Sequence, residues 1–168
     1  RAEMARERAA AHGRHVGVLV DLQGPKIRIG KFKDGPIRLV EGDPFTINSE
    51  HPLDQGNKQR VGTTYKALPE DVSRGATLLL DDGRIVLWVD QVLGSEVICR
   101  VVVGGELSNN KGINRQGGGL SAAALTDKDR KDMKTAAAMG ADYVAISFPR
   151  SAADVEEARA LLRAAGGR

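Results

Sequence analysis

Turn signals recur at short intervals through the middle of this chain, and they constrain the fold more than any other feature. They are Lys33-Asp34-Gly35-Pro36, Glu41-Gly42-Asp43-Pro44, Asp81-Asp82-Gly83 and Leu93-Gly94-Ser95. Between them lie β-favouring runs at residues 37–40, 45–47, 77–80, 85–89 and 97–103. Several short strands at this spacing predict an all-β barrel or sandwich over about residues 25–119. The longest gap, roughly residues 48–58, is polar and reads as a loop.

The flanks have a different texture. Residues 1–12 are rich in Ala, Glu and Arg, which favour helix, and Gly13 is placed to end it. Val16-Gly17-Val18-Leu19-Val20 then runs into Asp21. A short, continuous apolar run of this kind predicts a strand buried on both faces of a parallel sheet. After the β zone, Thr126-Asp127-Lys128-Asp129 resembles a capping box with Asp in place of Glu. It predicts a helix to about Met139, stopped at Gly140. A second buried-type strand is expected over residues 142–148, and a helix from Ser151 or Ala152 to Ala165, ended by Gly166-Gly167.

The predicted order is helix, strand, β-domain, helix, strand, helix. An all-β block inserted after a parallel strand is the pattern of an α/β barrel carrying a lid domain. The fold class is therefore α/β, with partial (β/α)8-barrel segments and an inserted all-β barrel domain. The expected boundaries are 1–24 and 120–168 for the barrel segments and 25–119 for the insertion. Such barrels place their chemistry at the C-terminal ends of strands. That rule selects Asp21 and Ser147-Phe148 as candidates at a barrel mouth.

Composition narrows the function classes. Aromatics are only 4% of the chain, so any core is aliphatic. The net charge of +3 suits an anionic small molecule. Lys and Arg are interspersed with Asp and Glu, which does not point to nucleic acid. The lone Cys99 sits in a β-like run and reads as a buried structural thiol. One cysteine allows no internal disulfide, which fits a reducing cytoplasm. No apolar run is long enough to span a bilayer, so no membrane partner is expected. The N-terminus lacks a signal peptide's apolar core. It also begins without Met and in mid-helix, as though cut from something longer.

Three motifs carry chemistry. In the first, Asp21-Leu22-Gln23-Gly24-Pro25-Lys26-Ile27-Arg28, a carboxylate at a strand mouth is poised to hold a cation. Gly24-Pro25 forces a turn, a plausible hinge into the insertion. Lys26 and Arg28 alternate with Ile27 and so share a face. Arg suits phosphate because its planar fork bonds two oxygens. The competing reading is a solvated strand face with a capping Asp. In the second, Leu80-Asp81-Asp82-Gly83, the common hairpin-turn reading competes with support for Mg²⁺ and its water ligands. The third spans residues 108–119 and sets Lys111 among glycines and asparagines, as in an anion-binding loop. It is not a Walker A motif. It also reads as a flexible return linker whose glycines let the lid swing with Lys111.

Residues 21–28, Asp81-Asp82-Gly83, Asn110-Lys111-Gly112-Ile113-Asn114 and Ser147-Phe148 occur in the order and approximate spacing of pyruvate kinase. The chain resembles that family along essentially its whole length. The resemblance implies phosphoryl transfer from phosphoenolpyruvate to ADP, giving pyruvate and ATP, with Mg²⁺ and K⁺ as cofactors. It implies that Asp21 is a potassium ligand with the Leu22 carbonyl beside it, and that Arg28 and Lys111 contact nucleotide phosphates. Asp82 would lie near the nucleotide-side magnesium, and Ser147 and Phe148 would line the barrel mouth. A cytoplasmic homo-oligomer, a tetramer, is implied as well.

The chain departs from the family pattern in places. Leu22 stands where Thr is frequent, Gln23 where Lys is, and Lys26 where Glu is. Arg115-Gln116 stands where Leu-Pro is common. The family's catalytic Lys, its Glu and Gly-Asp metal ligands, its Arg-Leu-Asn-Phe-Ser segment and its proton-delivering Thr all fall outside these 168 residues. No catalytic residue is therefore assigned, and the chain alone is expected to be inactive. The alternative from a different class is a non-catalytic anion- or RNA-binding β-module.

Overall fold

A computed structural model describes residues 1–167. In chain order the elements are α1 (Ala2–Ala11), β1 (Leu19–Asp21), β2 (Ile37–Leu39), β3 (Pro44–Asn48), β4 (Arg60–Gly62), α2 (Leu68–Asp71), β5 (Thr77–Leu80), β6 (Ile85–Leu93), β7 (Glu96–Val103), β8 (Gly105–Leu107), β9 (Ile113–Arg115), α3 (Asp127–Ala138), β10 (Tyr143–Ala145) and α4 (Ala152–Ala164). They form two compact units. One comprises Arg1–Pro25 with Ala123–Arg168, the other Lys26–Ala122.

In the first unit, β1 and β10 pair in parallel, with Leu19 opposite Tyr143, Val20 opposite Val144 and Asp21 opposite Ala145. β1 leads, after the insertion, to α3, and β10 leads to α4. A parallel strand followed by a helix is the repeating unit of an α/β barrel. Both helices start on capping boxes. Thr126 and Asp129 cap α3 reciprocally, and Ser151 and Asp154 cap α4. Each box satisfies two backbone donors that the first helical turn leaves open. Gly140 ends α3 at φ 60°. The core is Leu22, Leu125, Met133 and Ala158, with Val20, Val144, Ile146, Leu161 and Leu162 packed against it.

Helix α1 buries no residue, so it needs another anchor. Arg6 supplies it. The guanidinium donates to the carbonyls of Met139 (3.0 Å) and Gly140 and to Asp142 Oδ2 (2.9 Å). It thus caps the C-terminus of α3, where carbonyls lack helical partners. The same Asp142 oxygen accepts from Val18 N at 2.7 Å. Arg6 and Asp142 together fix where β1 begins.

One expectation is overturned here. The run from Val16 to Val20 is not buried on both faces: Leu19 is 59% exposed, and its cross-strand neighbour Tyr143 is 67% exposed. Among the described residues, β1 and β10 pair only with each other, and the packing of α3 and α4 covers only the Val20 and Val144 face. The strand expected over residues 142–148 is also shorter, Tyr143–Ala145.

The second unit is built on a six-stranded sheet of order β4-β3-β7-β6-β5-β9, with β2 and β8 as a separate antiparallel pair. The β6–β7 hairpin dominates it. Register shifts after Val86 and Val89 mark bulges, which curl a sheet. Alternate residues Ile85, Leu87, Val89, Val97, Cys99 and Val101 are buried, joined by Phe45, Ile47, Leu78 and Leu80. The core is aliphatic, as the composition requires, and burial pushes the Cys99 thiol up to about 12. The five strands expected between the turn signals are present, whereas the strand expected at residues 26–28 forms only isolated bridges. β4, β8 and β9, three residues each, had no counterpart in the sequence reading. Only the glycines at 117–119 keep the character of a linker, because β9 falls inside the stretch read as a flexible return.

Gly30 is held by packing. A Cβ there would meet the Leu53 carbonyl oxygen at 2.4 Å, and backbone cannot swing aside as a side chain can. Gly30→Ala should therefore destabilise this unit by about 1–3 kcal/mol, as overpacking does. A lower urea midpoint checks it, and an unchanged midpoint would show that the loop yields freely.

Candidate functional site

Each unit carries its own group of candidate side chains. In the first unit, β1 ends at Asp21, and the chain leaves through Leu22, Gln23 and Gly24. Leu22 is pinned from two sides. Its amide donates to Ala145 O at 3.0 Å, extending the β1–β10 ladder. Its side chain is 1% exposed, in the core. The hydroxyl of Ser147 reaches the Leu22 carbonyl and lies 3.3 Å from Asp21 Oδ1. Three oxygens from two strand ends thus converge: a carboxylate, a backbone carbonyl and a hydroxyl. Such hard donors suit an alkali or alkaline-earth cation. Asp21 and Ser147 are exposed, whereas Phe148 is partly buried beside them. At Leu22 the side chain serves packing and the carbonyl faces the oxygens, so replacing Thr by Leu leaves that carbonyl in place.

Gly24 follows at φ 62°, and a Cβ there would lie 3.1 Å from Ser147 Cβ. Only glycine suits both that backbone and that gap. The Gly24 amide donates to Asp129 Oδ1 at 3.1 Å. Asp129 is fully buried, and its other oxygen accepts from Thr126 N (2.8 Å) and Thr126 Oγ1 (2.7 Å). Burial alone would raise its pKa, but the hydrogen bonds from Thr126 and Gly24 prevail and hold it below the ordinary 3.8. Sequence reasoning identified Asp129 as a cap. It missed the bond to Gly24, which spans 105 positions and leaves no local signal.

In the second unit, residues 27–29, 80–83 and 110–113 run side by side. Arg28 forms a bridge with Gly112, Ile29 N donates to Lys111 O at 2.9 Å, and Asp81 N donates to Gly112 O at 3.2 Å. Arg28, Lys111, Asp81 and Asp82 are therefore neighbours. Lys111 Nζ lies 2.8 Å from Asp81 Oδ1. Arg28 is exposed and forms no ion pair among the described residues. Lys26 and Arg28 are exposed while Ile27 and Ile29 are buried, the expected alternation, although only isolated bridges form there. A Cβ on Gly112 would meet nothing within 4 Å, so the backbone beside the two cations faces open space. Cations beside an approachable backbone are groups that suit an anion.

Backbone geometry supports that surface. Asp81 (φ 50°), Asp82 (φ 56°) and Asn110 (φ 59°) are left-handed, as short polar side chains tolerate. Gly83 N closes the Leu80–Gly83 turn at 3.1 Å. Two hydroxyls that the sequence reading missed bracket Arg28. Thr63 Oγ1 donates to its carbonyl at 3.1 Å, and its amide donates to Thr64 Oγ1 at 3.0 Å. Also missed was a knot of Tyr65, Asp71 and Ser121. Asp71 accepts from the Tyr65 hydroxyl and from Ser121 N (2.7 Å). Burial opposes ionisation of Asp71, but those bonds and the Arg115 charge hold its pKa down; burial and the Asp71 bond hold Tyr65 up.

No group of three or more His, Cys, Asp or Glu side chains that could hold a metal occurs among the described residues. Asp82 offers one carboxylate, and Asp81 is engaged by Lys111. These residues do not make a magnesium site by themselves.

Asp129 sets a pH dependence. Its folded pKa lies below the unfolded value, so its contribution is complete above about pH 4 and fades as pH falls through the folded pKa. Asp129→Asn places an amide N–H₂ against N–H or O–H donors and should cost about 1–3 kcal/mol near neutral pH. The loss relative to wild type should shrink by pH 3 in urea titrations. A gap of equal size at pH 3 and pH 6 would mean that the charge contributes nothing.

Comparison with known proteins fits this arrangement. The family described as pyruvate kinase, barrel domain, matches residues 1–168. The chain is 55% identical over 166 residues to pyruvate kinase II of Salmonella typhimurium, covering 99% of this chain and 35% of that protein. It is 54% identical to a pyruvate kinase of Haemophilus influenzae, with the same coverage. A crystal structure of a pyruvate kinase from Cryptosporidium parvum superposes with a TM-score of 0.86 at 30% identity, covering 95% of this chain and 32% of that one. The chain thus spans about a third of the length of these relatives.

Proposed function

The chain belongs to the pyruvate kinase family, and on that premise we propose that the protein carrying it transfers a phosphoryl group from phosphoenolpyruvate to ADP. The observation that carries this reading is the pairing of Lys111 and Arg28 around the open backbone of Gly112. It suits the phosphates of a nucleotide, which need donors and positive charge rather than covalent chemistry. A nucleic-acid-binding module is not favoured, because the family match takes in the entire chain. No described helix is long and apolar enough to cross a membrane. A cytoplasmic homo-oligomer remains part of the proposal.

Potassium fits the first unit. Asp21 would give it charge, and the Leu22 carbonyl and Ser147 hydroxyl would complete this chain's share of the shell. A bound K⁺ supplies fixed positive charge that offsets phosphate. Magnesium fits less directly: Asp82 could meet an ion held chiefly by phosphate and water, the usual habit of Mg²⁺. This chain's residues bind and position. Lys111 leaves Asp81 for phosphate oxygen, Arg28 bonds a second oxygen, and Thr63 and Thr64 hold Arg28 in place.

In the intact protein, Lys111→Met should raise KM for ADP at least about tenfold, the loss of one charge-assisted contact. Arg28→Gln should act in the same direction. Steady-state kinetics with each substrate varied separately will show whether KM for phosphoenolpyruvate stays within about threefold. A larger effect on phosphoenolpyruvate than on ADP would place these cations at another substrate.

A further inference from the structure

A capping-box partner at the third helical position normally serves only its own helix. Asp129 does more. It is a carboxylate with no exposed surface, and it divides its two oxygens between different tasks. Oδ2 takes both donors of Thr126, while Oδ1 reaches the amide of Gly24 on the exit from β1. Gly24 lies two residues beyond Leu22, whose carbonyl takes the Ser147 hydroxyl. The exit segment is thus held at its start by the Leu22 amide on Ala145, at its middle by the Leu22 side chain in the core, and at its end by Asp129. Gly24 cannot carry a side chain to anchor itself, given its left-handed backbone and the Ser147 contact. The far end of the segment therefore depends on this one buried acceptor.

We propose that Asp129 is a positioning residue for the cation site, fixing the Leu22 carbonyl opposite Asp21 and Ser147 through the Gly24 amide. This inference rests on the potassium reading of those three oxygens. Asp129 does not touch the cation. It removes the freedom of the exit segment, so that the carbonyl meets the ion without first being ordered. Two facts favour this over a purely helical role. The α4 box also has an Asp, Asp154, but that carboxylate serves only Arg150, Ser151 and its own helix and is only half-buried. Of the two capping-box carboxylates, that of Asp129 is the one that carries a bond to the other segment of the unit, and it is kept ionised despite its burial.

The test uses the intact protein with thallium(I) as the probe for alkali cations, its binding followed by ²⁰⁵Tl NMR and its displacement by K⁺. Asp21→Asn removes the charged ligand, and Asp129→Asn removes the Gly24 acceptor's charge. Asp154→Asn serves as the control for loss of a capping box. Asp129→Asn should weaken Tl⁺ binding at least fivefold, Asp21→Asn more strongly, and Asp154→Asn less than twofold. Wild-type affinity in a folded Asp129→Asn protein, with Asp21→Asn defective, would overturn the positioning role alone. Undiminished binding in Asp21→Asn would overturn the cation reading beneath it. Should Asp129→Asn fail to fold, the wild type still decides. K⁺, compared with an equal concentration of tetramethylammonium, should slow hydrogen exchange at the Gly24 amide at least threefold. Exchange there that ignores K⁺ would refute the coupling.

Discussion

Parallel strands cannot be joined by a tight turn, and that constraint organises this chain. β1 and β10 lie side by side and run the same way, so the chain must leave the end of one and return to the start of the other. Helix α3 makes the return, as in any α/β unit. Residues 26–122 are interposed before it and fold as a unit of their own. The exit from β1 therefore has to finish a strand, present oxygens and release the chain within four residues. Leu22, Gly24 and Asp129 are the parts that allow it: a side chain in the core, a left-handed backbone and a buried acceptor.

Magnitudes indicate how the second unit's cations can serve a ligand. Lys111 and Asp81 form a partly exposed ion pair, with side chains 33% and 13% exposed. Such pairs stabilise a fold by about 0–1 kcal/mol. A phosphate, with more charge and more acceptor oxygens, displaces that carboxylate at small cost. Arg28 has no carboxylate to leave among the described residues. On the proposed reading, Asp81 holds the Lys111 ammonium in place until phosphate replaces it.

Much of this was legible in the sequence because it is local. Thr126 and Ser151 announce their helices by spacing, Gly140 ends one, and the turn residues mark every strand longer than three residues. Asp21, Leu22, Arg28, Lys111, Asp82, Ser147 and Phe148 were legible as motifs. What could not be read depends on partners distant in the chain. The Asp129–Gly24 bond, the Thr63 and Thr64 hydroxyls on Arg28, and the Asp71 knot have no spacing signature. The strands β4, β8 and β9 hold one large apolar residue each, too few for periodicity to register. The apolar run before Asp21 misled because an apolar sequence sets a preference for burial, while burial itself is decided by which elements pack against the strand.

The central claim is that the cations around Gly112 receive nucleotide phosphate. Hydrogen-exchange mass spectrometry of the intact protein, with and without saturating magnesium ADP, tests it most directly. Protection should appear in peptides covering residues 26–31, 80–84 and 109–114. Protection confined to other peptides, with these three unchanged, would contradict it.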